Sequence, residues 1–430
     1  MQAERARMTT SPPRPRAKTR TAARPEPGAR PAEQNESRGP AAVVTVKRLF
    51  AAETGSYFLL LGTTLFLVVF GLVMVLSSSA VESFKASGDF FNGFIRQVLF
   101  AAIGVPLMLI AARLPAFFWK KWAGRFLVIA IGLQLLVFVP HIGVEINGNR
   151  NWINIAGFTA QPSELIKVAL VLWLGKSLAG MQDRLDDWRE LIKPLIPAGL
   201  AIGLVVLGGD VGTAIILLAI VFATLFFAGV SMRLFAIPLV GIVVAGAAIA
   251  LGSGSRASRI AAVVNGCQTD TDHNGLCWQT VHGWWALASG GIFGVGLGNS
   301  KLKWSWLPEA DNDFIFAIIG EELGLIGAIL VLVLLLVLAV TFVRIIRARP
   351  ATDAFARVAV SAVLIWVIGQ AFVNIAVVLG LLPVLGVPLP LISAGGSALV
   401  TTLLGIGIVL SFARHAPDAS TTTATGGRLR

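Results

Sequence analysis

Three carboxylates, Glu309, Asp311 and Asp313, fall within five residues of the stretch Trp306-Leu307-Pro308-Glu309-Ala310-Asp311-Asn312-Asp313-Phe314, which then enters a long apolar run. Ionisable side chains at a hydrocarbon boundary are costly, so such a cluster is a candidate functional site by default. A carboxylate placed there can act as a general base, and neighbouring carboxylates raise its pKa toward a useful range. The competing reading is purely structural: Asp near a helix N-terminus simply favours the macrodipole.

Three further polar motifs open apolar segments: Gln161-Pro162-Ser163-Glu164-Leu165-Ile166-Lys167, Gly208-Gly209-Asp210-Val211-Gly212-Thr213, and Ser393-Ala394-Gly395-Gly396-Ser397. Helix N-termini present unpaired N–H groups and a positive dipole end, which suits an anionic ligand. A glycine pair flanked by serines lets backbone amides approach a phosphate. Each motif also has a structural explanation. Pro162 suits any helix first turn, Glu164 and Lys167 can neutralise one another, and Gly395-Gly396 can be a bend.

These motifs must be positioned by membrane-spanning helices. Hydrophobic residues make up 56% of 430 positions and charged ones 13%, far from the soluble average. Ten apolar runs read as membrane spans, the third and fifth of them short: about 57–79, 94–112, 126–140, 162–179, 194–208, 212–230, 234–252, 314–343, 356–379 and 391–412. The fold class is therefore an all-α integral membrane protein of about ten helices. With both termini cytoplasmic, 27 of 35 Lys and Arg residues fall on inner segments, which satisfies the positive-inside rule. The +12 net charge is thus a topology signal, and no basic folded module for nucleic acid is visible.

With this topology all four motifs fall at outer helix ends. The two cysteines, Cys267 and Cys277, share the large outer loop 253–312. In an oxidising compartment a pair ten residues apart is most simply a disulfide, with two free thiols as the alternative. The loop's tryptophans and the run 286–297 predict packed amphipathic helices at the outer interface. Its Gly294–Gly298 run supplies tight turns and is no dinucleotide fingerprint. Residues 1–50 read as a disordered basic cytoplasmic tail without a cleavable signal, 51–414 as the membrane domain, and 415–430 as a flexible tail.

Charge depth points to a substrate class. The spans hold little charge beyond Lys167, Glu321 and Glu322, and Glu321 lies roughly 12 Å past Asp313 along a helix. Charged groups reach inward from the outer surface and stop, whereas a translocation path would place them at the midplane. The pattern suits chemistry on an amphiphile held at the outer leaflet.

The motifs resemble the SEDS family (shape, elongation, division and sporulation proteins) over about residues 55–414. The resemblance is carried by Leu307–Gly324 (LPEADNDFIFAIIGEELG), Gln161–Lys167 (QPSELIK) and Asn374–Ser397 (NIAVVLGLLPVLGVPLPLISAGGS). Gly290–Lys303 is similar to the division-type FtsW group more than to elongation-type RodA, and the Arg-rich N-terminal extension is similar to actinobacterial forms. The chain differs from the frequent pattern in three places: Asp311-Asn312 replaces His-Thr, Gly209 replaces Pro, and Ala394 replaces an aromatic.

The resemblance implies a septal peptidoglycan glycosyltransferase of the bacterial inner membrane that polymerises lipid II and releases undecaprenyl diphosphate. An elongation polymerase or a lipid II flippase is the alternative. It further implies a class B penicillin-binding protein as transpeptidase partner, other divisome membrane proteins nearby, and Asp313 as the catalytic carboxylate. Substrate contacts are expected from Glu164, Lys167, Arg150, Asp210, Glu309, Asp311, Ser393, Gly395, Gly396 and Ser397. Lys167, Arg150 and the helix ends are candidates for the diphosphate. A divalent cation (Mg or Mn) fits the acidic cluster chemically, although no metal-ligand spacing is present.

Overall fold

The computed structural model describes residues 54–414 apart from 147, 156–157, 237, 242–260, 262–265, 268–274, 276 and 305. Both predicted tails and most of the predicted span 234–252 lie outside the described residues. Eleven helices are used below: α1 Gly55–Ser87, α2 Asn92–Arg113, α3 Ala116–Leu136, α4 Pro162–Ala179, α5 Trp188–Leu207, α6 Val211–Ala228, α7 Trp278–Gly290, α8 Ile315–Ala348, α9 Ala354–Leu364, α10 Gln370–Val378 and α11 Gly396–Ala413. The chain is a mainly helical bundle, as its composition requires.

Among the described residues, seven helices are long and apolar enough to cross a membrane: α1, α2, α5, α6, α8, the continuous Ala354–Val378 unit, and α11. This is a multi-pass membrane protein. The count of ten spans is not reached on that criterion. Helix α3 starts at Ala116, ten residues before the predicted run, and its first half carries Lys120, Lys121 and Arg125. Helix α4 has the predicted bounds but includes Glu164 and Lys167, and protein covers most of its surface.

Local sequence sets the helix ends. Thr54 caps α1 by accepting from the Tyr57 amide, and Gly88 closes it in the left-handed region at φ 74°. At 33 residues α1 is about 50 Å long, more than the ~30 Å hydrocarbon layer. Part of α1 therefore extends past the layer or the helix is tilted within it. Asp210 caps α6 through the Thr213 amide at 2.8 Å.

The segment between α3 and α4 forms a three-stranded antiparallel sheet that the all-α reading did not anticipate: β1 Gly143–Ile146, β2 Asn149–Ile155 and β3 Phe158–Ala160, in that order. Val144 pairs with Trp152, and Asn154 with Thr159. The strands are too short for their alternation to stand out. The sheet is pinned to the bundle through Asn151, fully buried, which accepts from Gln134 at 2.7 Å. The Arg150 amide donates to the Gly208 carbonyl at 2.7 Å.

Helix α8 contains one break. Gly324 sits at φ 66°, ψ −164°, inside an otherwise continuous apolar helix. The segment after α7 enters that gap. The amides of Val295 and Gly296 donate to the carbonyls of Glu321 and Glu322, while the amides of Leu325 and Ile326 donate to those of Gly291 and Ile292. Backbone groups in an apolar layer must be paired internally, and the inserted segment supplies the missing partners. Side chains complete the joint. Ser300 donates to Glu321 at 2.5 Å, Ser77 of α1 donates to Glu322 at 2.6 Å, and Lys303 Nζ lies 3.2 Å from Glu322. The deep carboxylates noted in the sequence thus hold a helix break together.

Candidate active site

The N-terminal ends of α4, α6, α8 and α11 meet at one point, although they are far apart in sequence. Gln161, before α4, donates its Nε2 to Asp210 Oδ2 at 2.7 Å, and its backbone amide to Ser397 Oγ of α11 at 3.3 Å. Asp210 in turn is close enough to Asp313 to repel its charge. The turn Leu389–Gly395 is stitched to the acidic loop: Ser393 Oγ donates to the Asn312 carbonyl at 2.7 Å, and the Ala394 amide donates to the Asp311 carbonyl at 2.8 Å.

Asp313 is buried immediately before α8, 6% exposed, and its Oδ1 has no hydrogen-bond partner within the described protein. Burial, then Glu309, Asp210 and Asp311, raise its pKa to about 7. Asp311 is also raised to about 7, by burial first and then by Glu82 and Glu309, with its own backbone hydrogen bond acting the other way. A carboxylate that titrates near neutrality, with one oxygen free, is suited to accept a proton.

The loop geometry is strained where the chemistry gathers. Glu309 adopts φ 54°, in the left-handed region disfavoured for a side chain. Its carbonyl accepts from both the Asn312 and Phe314 amides at 3.1 Å, which closes the turn that presents Asp311 and Asp313. Strain of this kind, of order 1–3 kcal/mol, persists where surrounding contacts over-determine it. Asn374 of α10 helps do so, donating to the carbonyls of Asp313 and Val387, each at 2.8 Å.

Other expected substrate residues are committed elsewhere. Glu164 and Lys167 form a 2.7 Å ion pair, both 2% exposed. Lys167 also donates to Gln370 Oε1 at 3.0 Å and lies over the Trp366 ring, and Thr401 donates to Glu164 at 3.2 Å. The mutual neutralisation that their spacing allows is what the fold contains. Gly395 is extended, not left-handed, and its amide donates to Gln97 Oε1 at 3.2 Å. Gly396 is required by contact, because a Cβ there would meet the Phe100 ring. The Ser393 hydroxyl is used within the turn, accepting from the Leu389 amide. Arg150 remains exposed on β2, with its backbone anchored beside Asp210. Cys267 and Cys277 are disulfide-bonded, with a Cα separation of 5.9 Å, at the start of α7.

Glu82, Gln97 and Gln370 belong to this constellation, and the sequence reading passes over them. Each is a polar residue in or beside an apolar run, a signal that flags function at membrane depth. For a cation the donor set does not fit: among the described residues no three Asp, Glu, His or Cys side chains converge as ligands.

Residues 57–418 match the family described as "Cell cycle protein" (FtsW, RodA, SpoVE). The chain is 41% identical over 365 residues to the probable peptidoglycan glycosyltransferase FtsW of Mycobacterium tuberculosis, covering 85% of this chain and 69% of that protein. It is 34% identical over 368 residues to stage V sporulation protein E of Bacillus subtilis, covering 84% and 98%. A chain of a peptidoglycan synthase complex that coordinates polymerization and crosslinking superposes with a TM-score of 0.67 at 25% identity, covering 82% and 96%. The RodA protein of Thermus thermophilus has the same fold, with a TM-score of 0.61. The chain belongs to the FtsW/RodA/SpoVE family of cell cycle proteins.

Proposed function

We infer that this protein is a peptidoglycan glycosyltransferase that polymerises lipid II at the outer face of the bacterial cell membrane, at the division septum. The observation that carries the reading is Asp313: buried, free at Oδ1, and titrating near neutrality where four helix ends meet. Family relatives named peptidoglycan glycosyltransferase FtsW support the same chemistry.

In this reading Asp313 takes the proton from a sugar 4-hydroxyl as that oxygen attacks the anomeric carbon of a lipid-diphosphate-linked sugar. One C–O bond forms, the bond to the diphosphate breaks, and the electron pair leaves with undecaprenyl diphosphate. Burial first, then Glu309, Asp210 and Asp311, keep the base's pKa high enough to be useful. Helix N-termini and exposed Arg150 are the donors open to the leaving diphosphate, since Lys167 is already paired. Gln161 and Ser393 position the loop through their hydrogen bonds to Asp210 and the Asn312 carbonyl.

The partner is a class B penicillin-binding protein, consistent with the polymerization–crosslinking complex that shares this fold, and other divisome membrane proteins are expected around it. The test is glycan synthesis from purified lipid II, with and without the transpeptidase. Polymer from the parent and none from Asp313→Asn supports the reading. Lipid movement across vesicles without polymer would favour a flippase.

A further inference from the structure

Beside the acidic loop lies an aromatic stack that the reaction above does not use. Trp278 and His282, one turn apart on α7, have ring centroids 3.9 Å apart. Trp306, from the loop itself, lies nearly parallel to both at 6.1 Å, with interplanar angles of 20° and 13°. Trp285 packs on His282 at 4.6 Å. The rings are held by hydrogen bonds. Trp278 Nε1 donates to the Trp306 carbonyl at 2.8 Å, Gln279 Nε2 donates to the Pro308 carbonyl at 3.1 Å, and His282 Nδ1 pairs with the Trp278 carbonyl at 2.7 Å. His282 is 2% exposed, and its Nε2 has no partner. Trp306 nevertheless leaves 55% of its surface open.

Tryptophans at a membrane surface often serve only as interfacial anchors. An anchor has no need of a ring stack, and it works by turning its N–H to the head groups. In this stack the Trp278 N–H is taken up by the Trp306 carbonyl, and the Trp306 ring is held against Trp278 and His282 before any ligand arrives. A pre-ordered ring loses little freedom on binding. Trp306 also stands three residues before Glu309, in the segment that leads into the carboxylates.

We propose that Trp306, backed by Trp278 and His282, is a stacking platform for a pyranose ring of the lipid-linked saccharide or of the growing strand. A pyranose has an apolar C–H face and a rim of hydroxyls. The indole takes the face, and the carboxylates of Glu309 and Asp311 accept from the rim. The assignment rests on the glycosyltransferase reading of the acidic loop.

The test uses the full chain in detergent and two variants, Trp306→Leu, which stays apolar but loses the aromatic face, and Trp306→Phe, which keeps one. Saturation-transfer NMR with chitotetraose, a soluble β-1,4-linked N-acetylglucosamine tetramer, reads sugar stacking without turnover. Transfer concentrated on one ring face, lost in the Leu variant and retained in the Phe variant, is the expected result. Absence of ring-face transfer in the parent, or equal transfer in parent and Leu variant, overturns the platform.

Kinetics with lipid II then assign the sugar. A KM raised about 3- to 10-fold in Trp306→Leu, with the larger part of the loss in KM, places the monomer there. Shortened strands at near-parental KM place the growing strand there. A parent that binds chitotetraose yet makes no polymer even with the transpeptidase present sinks the glycosyltransferase reading and leaves the platform. A parent that polymerises without ring-face transfer does the reverse.

Discussion

Asn374, 61 residues beyond Asp313, donates its Nδ2 to the Asp313 carbonyl at 2.8 Å and shares that donor group with the Val387 carbonyl. One side chain on α10 thus ties the acidic loop to the segment that precedes α11. Asn374→Leu preserves volume and removes both bonds, leaving two buried acceptors unpaired at about 1–3 kcal/mol each. A displaced base of this kind costs about 10²-fold in rate. Polymer yield and thermal unfolding in detergent should both fall, and activity should fall further than the folded fraction does.

Asp313→Asn keeps the shape and removes the ionisable group. Loss of a general base lowers the rate by about 10²–10⁴-fold, enough to abolish visible polymer. Asp311→Asn should be milder, since that residue shapes the field around the base. The check is polymer yield at matched expression. Near-parental yield from Asp313→Asn would remove it from the mechanism.

The raised pKa values fix the direction of the pH response. Asp313 must be ionised to take a proton, so the rate should climb as pH rises through about 7. Stability runs the other way. The folded-state pKa values of Asp311 and Asp313, both about 7, lie above the ordinary aspartate value of 3.8. Their contribution to stability is complete below about pH 4 and declines as pH rises toward 7. Asp311→Asn removes a like charge and should move the rate midpoint to lower pH. Paired pH–rate and pH–melting series on both proteins measure this, and a midpoint unmoved by the substitution would deny the coupling.

The Glu164–Lys167 pair predicts a non-additive double substitution. Lys167→Met alone leaves a buried carboxylate unpaired, a loss of about 3–5 kcal/mol, and Glu164→Gln alone strands the ammonium similarly. The combined variant should recover much of that stability in detergent melting curves. Independent, additive losses would mean that the two charges do not depend on each other.

Gly324 is the one position in α8 where a side chain is excluded twice, by φ 66° and by contact with the Gly294 amide. Gly324→Ala should expel the inserted segment and lower melting temperature. Because that segment leads into the acidic loop, activity should fall as well. Unchanged melting would show that the break tolerates a continuous helix.

Composition and hydropathy alone determined that this chain builds a membrane-embedded helical bundle, because unpaired backbone is forbidden in lipid. The Glu309–Asp313 cluster and the polar helix starts at Gln161, Asp210 and Ser393 were equally legible, since charge is rare in such a chain and stands out where it occurs. The surroundings of Lys167 were not legible: its spacing from Glu164 fitted an internal pair and an anion donor alike, and only the fold shows it paired with Glu164 and packed against Gln370 and Trp366. The small sheet, the break at Gly324 and the approach of Glu82 to Asp311 were also decided in three dimensions. The physical reason is separation along the chain. Periodicity and charge placement report on a helix and its ends, whereas Gln161 meets Ser397 only because the packing of whole helices brings their N-termini together.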